Sequence, residues 1–323
     1  MPIPIFEINN LVKDFQAGGI SRRRTRVVDH VSTAVAPGEV RGIVGESGSG
    51  KTTLARCSIR LIEPTSGSTY FGGRSLTDMS RAELRDARRE FQMVFQDPFS
   101  SLNPSMTVEE ILREPLQIHA MGQCGEQRER VSELIDAVAL DEAWMKRRPT
   151  ELSGGQQQRV GIARALALKP RLLIADEPVS ALDVSVQAQI LNLLSDLKRR
   201  YALTLILISH SLYVVHYLCT HVSVMYRGRI VEEAPTSSFF AGPKHPYSRM
   251  LLAAMPVLDP SGKMSIRMVK ENAASAPEPG SGCAFYPCCP QRLPICREQK
   301  PELREVAPGE SAACFLFKLS QKI

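Results

Sequence analysis

The chain has 323 residues, 43% of them apolar and 23% charged, with 40 Lys and Arg against 34 Asp and Glu for a net charge of +6. That size and composition support one large folded domain or two small ones and exclude global disorder. A membrane-spanning helix is also excluded, because the longest apolar runs, Leu203 to Ile208 and Met250 to Leu258, fall short of the roughly 18 residues required.

The first ten residues lack a basic start followed by an apolar run, so no signal peptide is expected, and the chain is expected in the cytosol unless a partner holds it at a membrane. Ile3 to Ile8 alternates loosely and Val27 to Val35 is rich in β-branched residues, as strands are. Between them, Ala17-Gly18-Gly19 and the basic run from Arg22 to Arg26 predict a long exposed loop. The arginines could bind nucleic acid or anionic lipid, but no aromatic residue is interleaved, so the loop reads as solvated. Pro37-Gly38 turns the chain into a short strand, Val40 to Val44, followed by a glycine-rich loop and a helix from Lys51 to Leu61. Charged amphipathic stretches at 80–90 and 126–140 predict further helices. Leu172 to Ala175 and Leu203 to Ile208 are unbroken apolar runs, as expected of parallel strands covered on both faces. Strands alternating with helices indicate an α/β fold with a mainly parallel sheet. Beyond about residue 255, Pro, Gly, Ser and Cys become frequent and periodicity fades, so 255–323 reads as a small loop-rich extension.

Three segments carry chemistry. Gly45-Glu46-Ser47-Gly48-Ser49-Gly50-Lys51-Thr52 has the spacing of a phosphate-binding loop between a strand and a helix. Its glycines let backbone N–H groups close around phosphate oxygens, Lys51 reaches the β- and γ-phosphates, and Thr52, with Thr53 beside it, opens the helix and binds Mg²⁺. Leu172-Leu173-Ile174-Ala175-Asp176-Glu177 is a buried strand ending in two acids. There Asp176 would hold Mg²⁺ through water and Glu177 would activate the attacking water. Leu152-Ser153-Gly154-Gly155-Gln156-Gln157-Gln158-Arg159 is a helix start with Ser153 as N-cap, a second N-terminus suited to an anion. Two phosphate-seeking N-termini point to a nucleotide shared between two chains.

With that third segment the sequence resembles the ABC-type ATPases, over roughly residues 5 to 260. Gln96 in Val94-Phe95-Gln96-Asp97-Pro98 resembles their Q-loop glutamine, Ser180-Ala181-Leu182-Asp183 their D-loop and His210 their switch histidine. The resemblance implies a P-loop NTPase core with an antiparallel β subdomain, a helical subdomain at about 97–154, and a nucleotide-binding domain over 1–254. It also implies a head-to-tail dimer in which each ATP lies between the phosphate loop of one subunit and Ser153, Gly154, Gly155, Gln156 and Asp183 of the other. In that scheme Gln96 senses Mg²⁺ and the attacking water, Glu177 is the catalytic carboxylate, His210 contacts the γ-phosphate and Phe15 stacks on adenine.

Phe95-Gln96-Asp97-Pro98-Phe99-Ser100-Ser101-Leu102-Asn103-Pro104 and His245-Pro246-Tyr247-Ser248-Arg249 narrow the resemblance to the oligopeptide/dipeptide importers, a branch shared with importers of nickel, glutathione and other small solutes. That branch implies two separate transmembrane permeases, a second identical or related ATPase, and an extracytoplasmic solute-binding protein. Nucleic acid is not an expected partner. The location it implies is the cytoplasmic face of the inner membrane. A soluble ABC ATPase without transport is the alternative from another class. Of eight cysteines, five lie between Cys283 and Cys314, and the pattern of Cys283, Cys289, Cys296 and Cys314 resembles the branch's C-terminal cysteine segment, which implies a 4Fe–4S cluster. Thiolates also suit zinc, unmetallated thiols are a further alternative, and Cys288, adjacent to Cys289, competes as a ligand. Cys57, Cys124 and Cys219 are scattered and read as structural.

Overall fold

The computed structural model describes residues 3–16, 24–255 and 282–317. The chain divides into two compact units, each assembled from separate stretches of sequence: 1–7, 34–40 and 69–209 form one, and 8–33, 41–68 and 210–323 the other. Among the described residues no helix is long and apolar enough to cross a membrane.

The first unit is built on three parallel strands, Phe91–Val94, Leu172–Asp176 and Thr204–Ser209, with Leu172 in register with both Phe91 and Thr204. Every residue of the second and third strands is buried. That is why these segments are continuous apolar runs rather than alternating ones. The long helix Val184–Tyr201 is capped by Asp183, carries Lys198, Arg199 and Arg200 in its last turn, and stops at Ala202 in the left-handed region. Negative charge at the start and positive charge at the end both suit the helix dipole.

The helical section of this unit contains Pro98–Ser101, Val108–Ile118 and Cys124–Ala137, then two short 3₁₀ turns, then Gly154–Leu166. Thr107 opens the second of these with a reciprocal capping box to Glu110. Ile111, Leu112 and Leu116 of this helix and Val131, Leu134 and Ile135 of Cys124–Ala137 are buried. The charged stretch at 80–90 forms a helix over Arg81–Ala87, started by a Ser80–Glu83 capping box. The one at 126–140 starts two residues earlier than its charge pattern indicates and stops at Ala137.

The second unit holds five strands in the order Arg304–Ala307, Glu310–Ala312, Arg229–Pro235, His221–Tyr226, Val40–Val44. The last two run parallel and the others antiparallel. The extension is loop-rich as expected, and it adds two short strands to this sheet. Glu310–Ala312 pairs with the core strand Arg229–Pro235, Glu232 facing Ala312, and Ala313 N donates to Val231 O at 2.8 Å. Strands of three or four residues around the Gly309 turn are too short to show a period of two, so composition alone reads them as loop. A separate four-stranded sheet has the order Arg24–Val35, Phe6–Gln16, Ser66–Phe71, Arg74–Ser75.

Candidate functional site

In the second unit, the strand Val40–Val44 delivers the chain into the glycine loop, and the helix Lys51–Ser58 follows it. Gly45, Gly48 and Gly50 have φ of 155°, 80° and 103°, a region that side chains resist. A Cβ on Gly45 would stand 2.1 Å from Met225 O, and one on Gly50 2.5 Å from Val27 O. The glycines therefore admit both the turn and its close packing on neighbouring backbone. Lys51 Nζ donates to Gly45 O and Glu46 O, each at 2.8 Å, and Ser49 O accepts from Gly228 N at 2.9 Å. Glu46 and Ser47 are exposed, Ser49 is buried, and Thr52 and Thr53 lie in the first turn of the helix. A loop that already draws a buried ammonium onto its rim has the donor set of a phosphate cradle.

Sequence reasoning missed one contact to this loop. Glu46 N donates to the hydroxyl of Tyr247 at 3.1 Å. The His245-Pro246-Tyr247 segment was legible as a family motif, but its reach to the loop was not. Phe15 is the last but one residue of the strand Phe6–Gln16 and is 40% exposed, with Lys13 Nζ 5.0 Å from its ring centre. His210, just beyond the strand Thr204–Ser209, is exposed.

In the first unit, Asp176 ends its strand fully buried and Glu177 follows at φ 45°. Left-handed backbone at a non-glycine costs on the order of 1–2 kcal/mol. Glu177 N donates to Ile208 O at 2.9 Å, which helps hold that conformation. Gln96 Nε2 donates to Glu177 Oε2 at 3.1 Å, so the structure brings together two of the three residues assigned to catalysis. Full burial of a carboxylate needs compensating charge or hydrogen bonds. Asp176 at a strand end thus fits a cation-binding role.

The helix Gly154–Leu166 starts as expected: Ser153 Oγ accepts from Gln156 N, and Gln156 Oε1 accepts from Ser153 N at 2.8 Å. Its glycines also serve packing. A Cβ on Gly155 would stand 2.5 Å from Val186 Cγ1, and one on Gly154 3.4 Å from Leu182 Cδ2. Gln157 is buried and donates to Pro149 O and Leu152 O. Asp183 accepts from Val186 N and Ser185 Oγ, and those hydrogen bonds, the Ser185 hydroxyl first, hold its carboxyl below the usual range.

In the extension, burial raises the thiols of Cys283 and Cys289, and pushes Cys314 up to about 11. The neighbouring thiols add to it: Cys283 feels Cys296 and Cys289, and Cys314 feels Cys289, Cys283 and Cys296. Cys288 is exposed and stands outside this set. Backbone N–H groups of Phe285, Gln291 and Leu316 point at Cys283, Cys289 and Cys314 respectively and favour their thiolates. Among the described residues, no group of three or more His, Cys, Asp or Glu is placed to hold a metal ion. Cys57 and Cys219 are buried as expected, but Cys124 is exposed at the start of its helix and packs into no core.

Comparison with known proteins gives two family matches. The family described as ABC transporter matches residues 28–180, and the oligopeptide/dipeptide transporter C-terminal region matches 231–296. The oligopeptide transport ATP-binding protein AppF of Bacillus subtilis is 44% identical over 320 residues, covering 97% of each chain. A protein of Brucella ovis, provisionally described as a peptide import ATP-binding protein, is 46% identical over 312 residues, covering 97% of this chain and 98% of its own. Among solved structures, the dimeric ATP-binding cassette MJ0796 bound to ADP and Pi superposes with a TM-score of 0.65 at 31% identity, covering 72% of this chain and 98% of the cassette. CbiO1 of Clostridium perfringens, part of the ABC transporter complex cbiONQ, gives 0.64 at 28% identity, covering 74% and 91%.

Proposed function

The chain belongs to the ATP-binding proteins of the ABC transporter family, in the oligopeptide/dipeptide branch, and on that premise we propose how its residues divide the work of a peptide importer's motor. It hydrolyses ATP to ADP and phosphate and couples that reaction to transport through permease subunits and a partner ATPase. The loop Gly45–Thr52 holds the phosphates, with Lys51 balancing their charge. Thr52, Gln96 and Asp176 hold Mg²⁺, which when bound neutralises charge on the phosphate oxygens. Glu177 orients and deprotonates the attacking water, and His210 contacts the γ-phosphate. Ser153, Gly154, Gly155, Gln156 and Asp183 complete the nucleotide site of a partner subunit, and Phe15 stacks on adenine.

The observation that carries this reading is the 3.1 Å hydrogen bond from Gln96 to Glu177. A glutamine from the Q-loop thereby orients the carboxylate that must meet the water. Glu177→Gln keeps the shape and removes the base. The variant is expected to bind ATP as the wild type does, to accumulate as an ATP-bound dimer, and to lose at least 100-fold in turnover. Wild-type turnover in that variant sinks the assignment.

The finer parts of the reading are these. The nucleotide-binding domain spans 1–254, with a helical section at about 97–154, and the extension spans 255–323. The chain works at the cytoplasmic face of the membrane beside two permeases, with a solute-binding protein on the far side. Cys283, Cys289, Cys296 and Cys314 hold a 4Fe–4S cluster. What supports the cluster is that the thiols of Cys283, Cys289 and Cys314, raised first by burial, are each raised further by Cys296, while backbone N–H groups beside each sulfur favour the thiolate. Iron and inorganic sulfide in the anaerobically isolated chain are its readout.

A further inference from the structure

Resting on the reading of Gly45–Thr52 as the nucleotide site, we propose that Tyr247 is a positioning residue for phosphate binding, which fixes the Gly45–Glu46 peptide and through it the Lys51 ammonium. One peptide unit contains both the Gly45 carbonyl and the Glu46 N–H. Its N–H end donates to Tyr247 Oη at 3.1 Å, and its C=O end accepts from Lys51 Nζ at 2.8 Å. The two bonds together set the rotation of that peptide plane. They have to, because the residue before it is a glycine at φ 155°, where the backbone has little preference of its own. Freed of the hydroxyl, the plane turns more easily, and the carbonyl that aims Lys51 turns with it.

Tyr247 is itself firmly held. It is 0% exposed, with its ring centre 4.4 Å from that of Tyr226 and 5.6 Å from that of Phe285. Phe285 also meets Tyr226 edge-on at 5.4 Å. The helix that carries Tyr247, Pro246–Ala253, is fixed at its start by the buried Glu232, which accepts from Lys244 N and His245 N at 2.7 Å each. His245 Nδ1 then accepts from Tyr247 N at 3.1 Å. Phe285 lies two residues after Cys283, so the cysteine segment supplies one wall of the seat that holds the phosphate-loop tyrosine.

The test is Tyr247→Phe in the full chain, which keeps the ring and removes one hydroxyl. Three readouts are needed: the Kd for Mg-ATP by calorimetry, steady-state ATPase kinetics, and hydrogen exchange of peptides covering Gly45–Thr52. The expected result is a Kd raised roughly 3- to 10-fold, the scale of one neutral hydrogen bond. KM should rise with it, kcat should stay within about twofold, and the loop should exchange faster. Phe285→Leu, which leaves the hydroxyl but thins its seat, should shift Kd in the same direction by less. A Tyr247→Phe chain with wild-type Kd overturns the proposal. So does a lower unfolding temperature with unchanged Kd in the folded protein, since that marks a purely structural tyrosine. A wild-type chain that binds no ATP overturns the nucleotide reading instead, and the Lys51→Ala chain provides the non-binding reference.

Discussion

Gly45 is the residue on which the proposed phosphate loop turns. At φ 155° it presses its α-carbon against β-strand backbone, leaving no room for a methyl group beside the Met225 carbonyl oxygen, 2.1 Å from where a Cβ would lie. Backbone cannot move aside as a flexible side chain can. Gly45→Ala is therefore expected to raise the Kd for Mg-ATP more than 10-fold and to destabilise the chain by about 1–3 kcal/mol, read from calorimetry and denaturant unfolding. Unchanged binding in that variant would show the loop to be more pliant than its packing indicates. Gly155 has a different reason to be glycine, because its missing side chain makes room for Val186 Cγ1 on the neighbouring helix. The sequence made both glycines visible as motif members. It distinguished neither the carbonyl that excludes a side chain at one from the valine that excludes it at the other.

The helix Pro246–Ala253 shows how an element can be tuned by a titrating cap. His245 serves as its N-cap through Nδ1, which accepts from Tyr247 N only while unprotonated. Burial, reinforced by the charge of Arg249, depresses His245 from an ordinary 6.5 to about 4. Between those values the unfolded chain takes up a proton that the folded chain refuses. Stability is therefore whole above about 6.5 and falls as pH drops toward 4, by roughly 2 kcal/mol at pH 5. His245→Asn keeps a capping acceptor and removes the titration. Denaturant unfolding of that variant at pH 7 and pH 5 is expected to show a loss smaller by about that amount. An equal loss in both chains would assign the acid sensitivity elsewhere. Asp29 adds a lower window. Burial opposes its ionisation, but His30, Lys300, Arg229 and Arg26 together hold it at about 2, so its contribution is lost only as pH falls from 3.8 toward 2.

At the scale of the whole molecule, the decisive neighbours are other chains. Isolation of this protein from its native membranes in gentle detergent, under anaerobic conditions, is expected to bring with it two multi-span permeases and a second ATPase subunit. The same preparation is expected to contain iron and sulfide in the equal ratio of a 4Fe–4S cluster, and replacement of Cys289 by serine should remove both while Cys288→Ser retains them. A complex without membrane proteins would contradict the transport role. Iron retained in Cys289→Ser but lost in Cys288→Ser would reverse the ligand choice, which rests on Cys289 being half-buried and Cys288 exposed.

The sequence by itself determined the order of the elements and pointed to the local chemistry proposed above. A loop that must close on phosphate requires glycines and a lysine at fixed spacing, and a strand buried on both faces requires an unbroken apolar run. Both demands are local and so are written locally, in Gly45–Thr52 and Leu172–Asp176. The tertiary structure decided what is set by residues far apart in the chain. It seated Tyr247 on a peptide plane 201 positions away, placed Gln96 on Glu177 across 81, and paired Glu310–Ala312 with Arg229–Pro235. Those choices depend on which buried polar groups find partners and which rings fill the remaining space. No run of neighbouring residues records that, because the constraint acts between surfaces that meet only once the chain has folded.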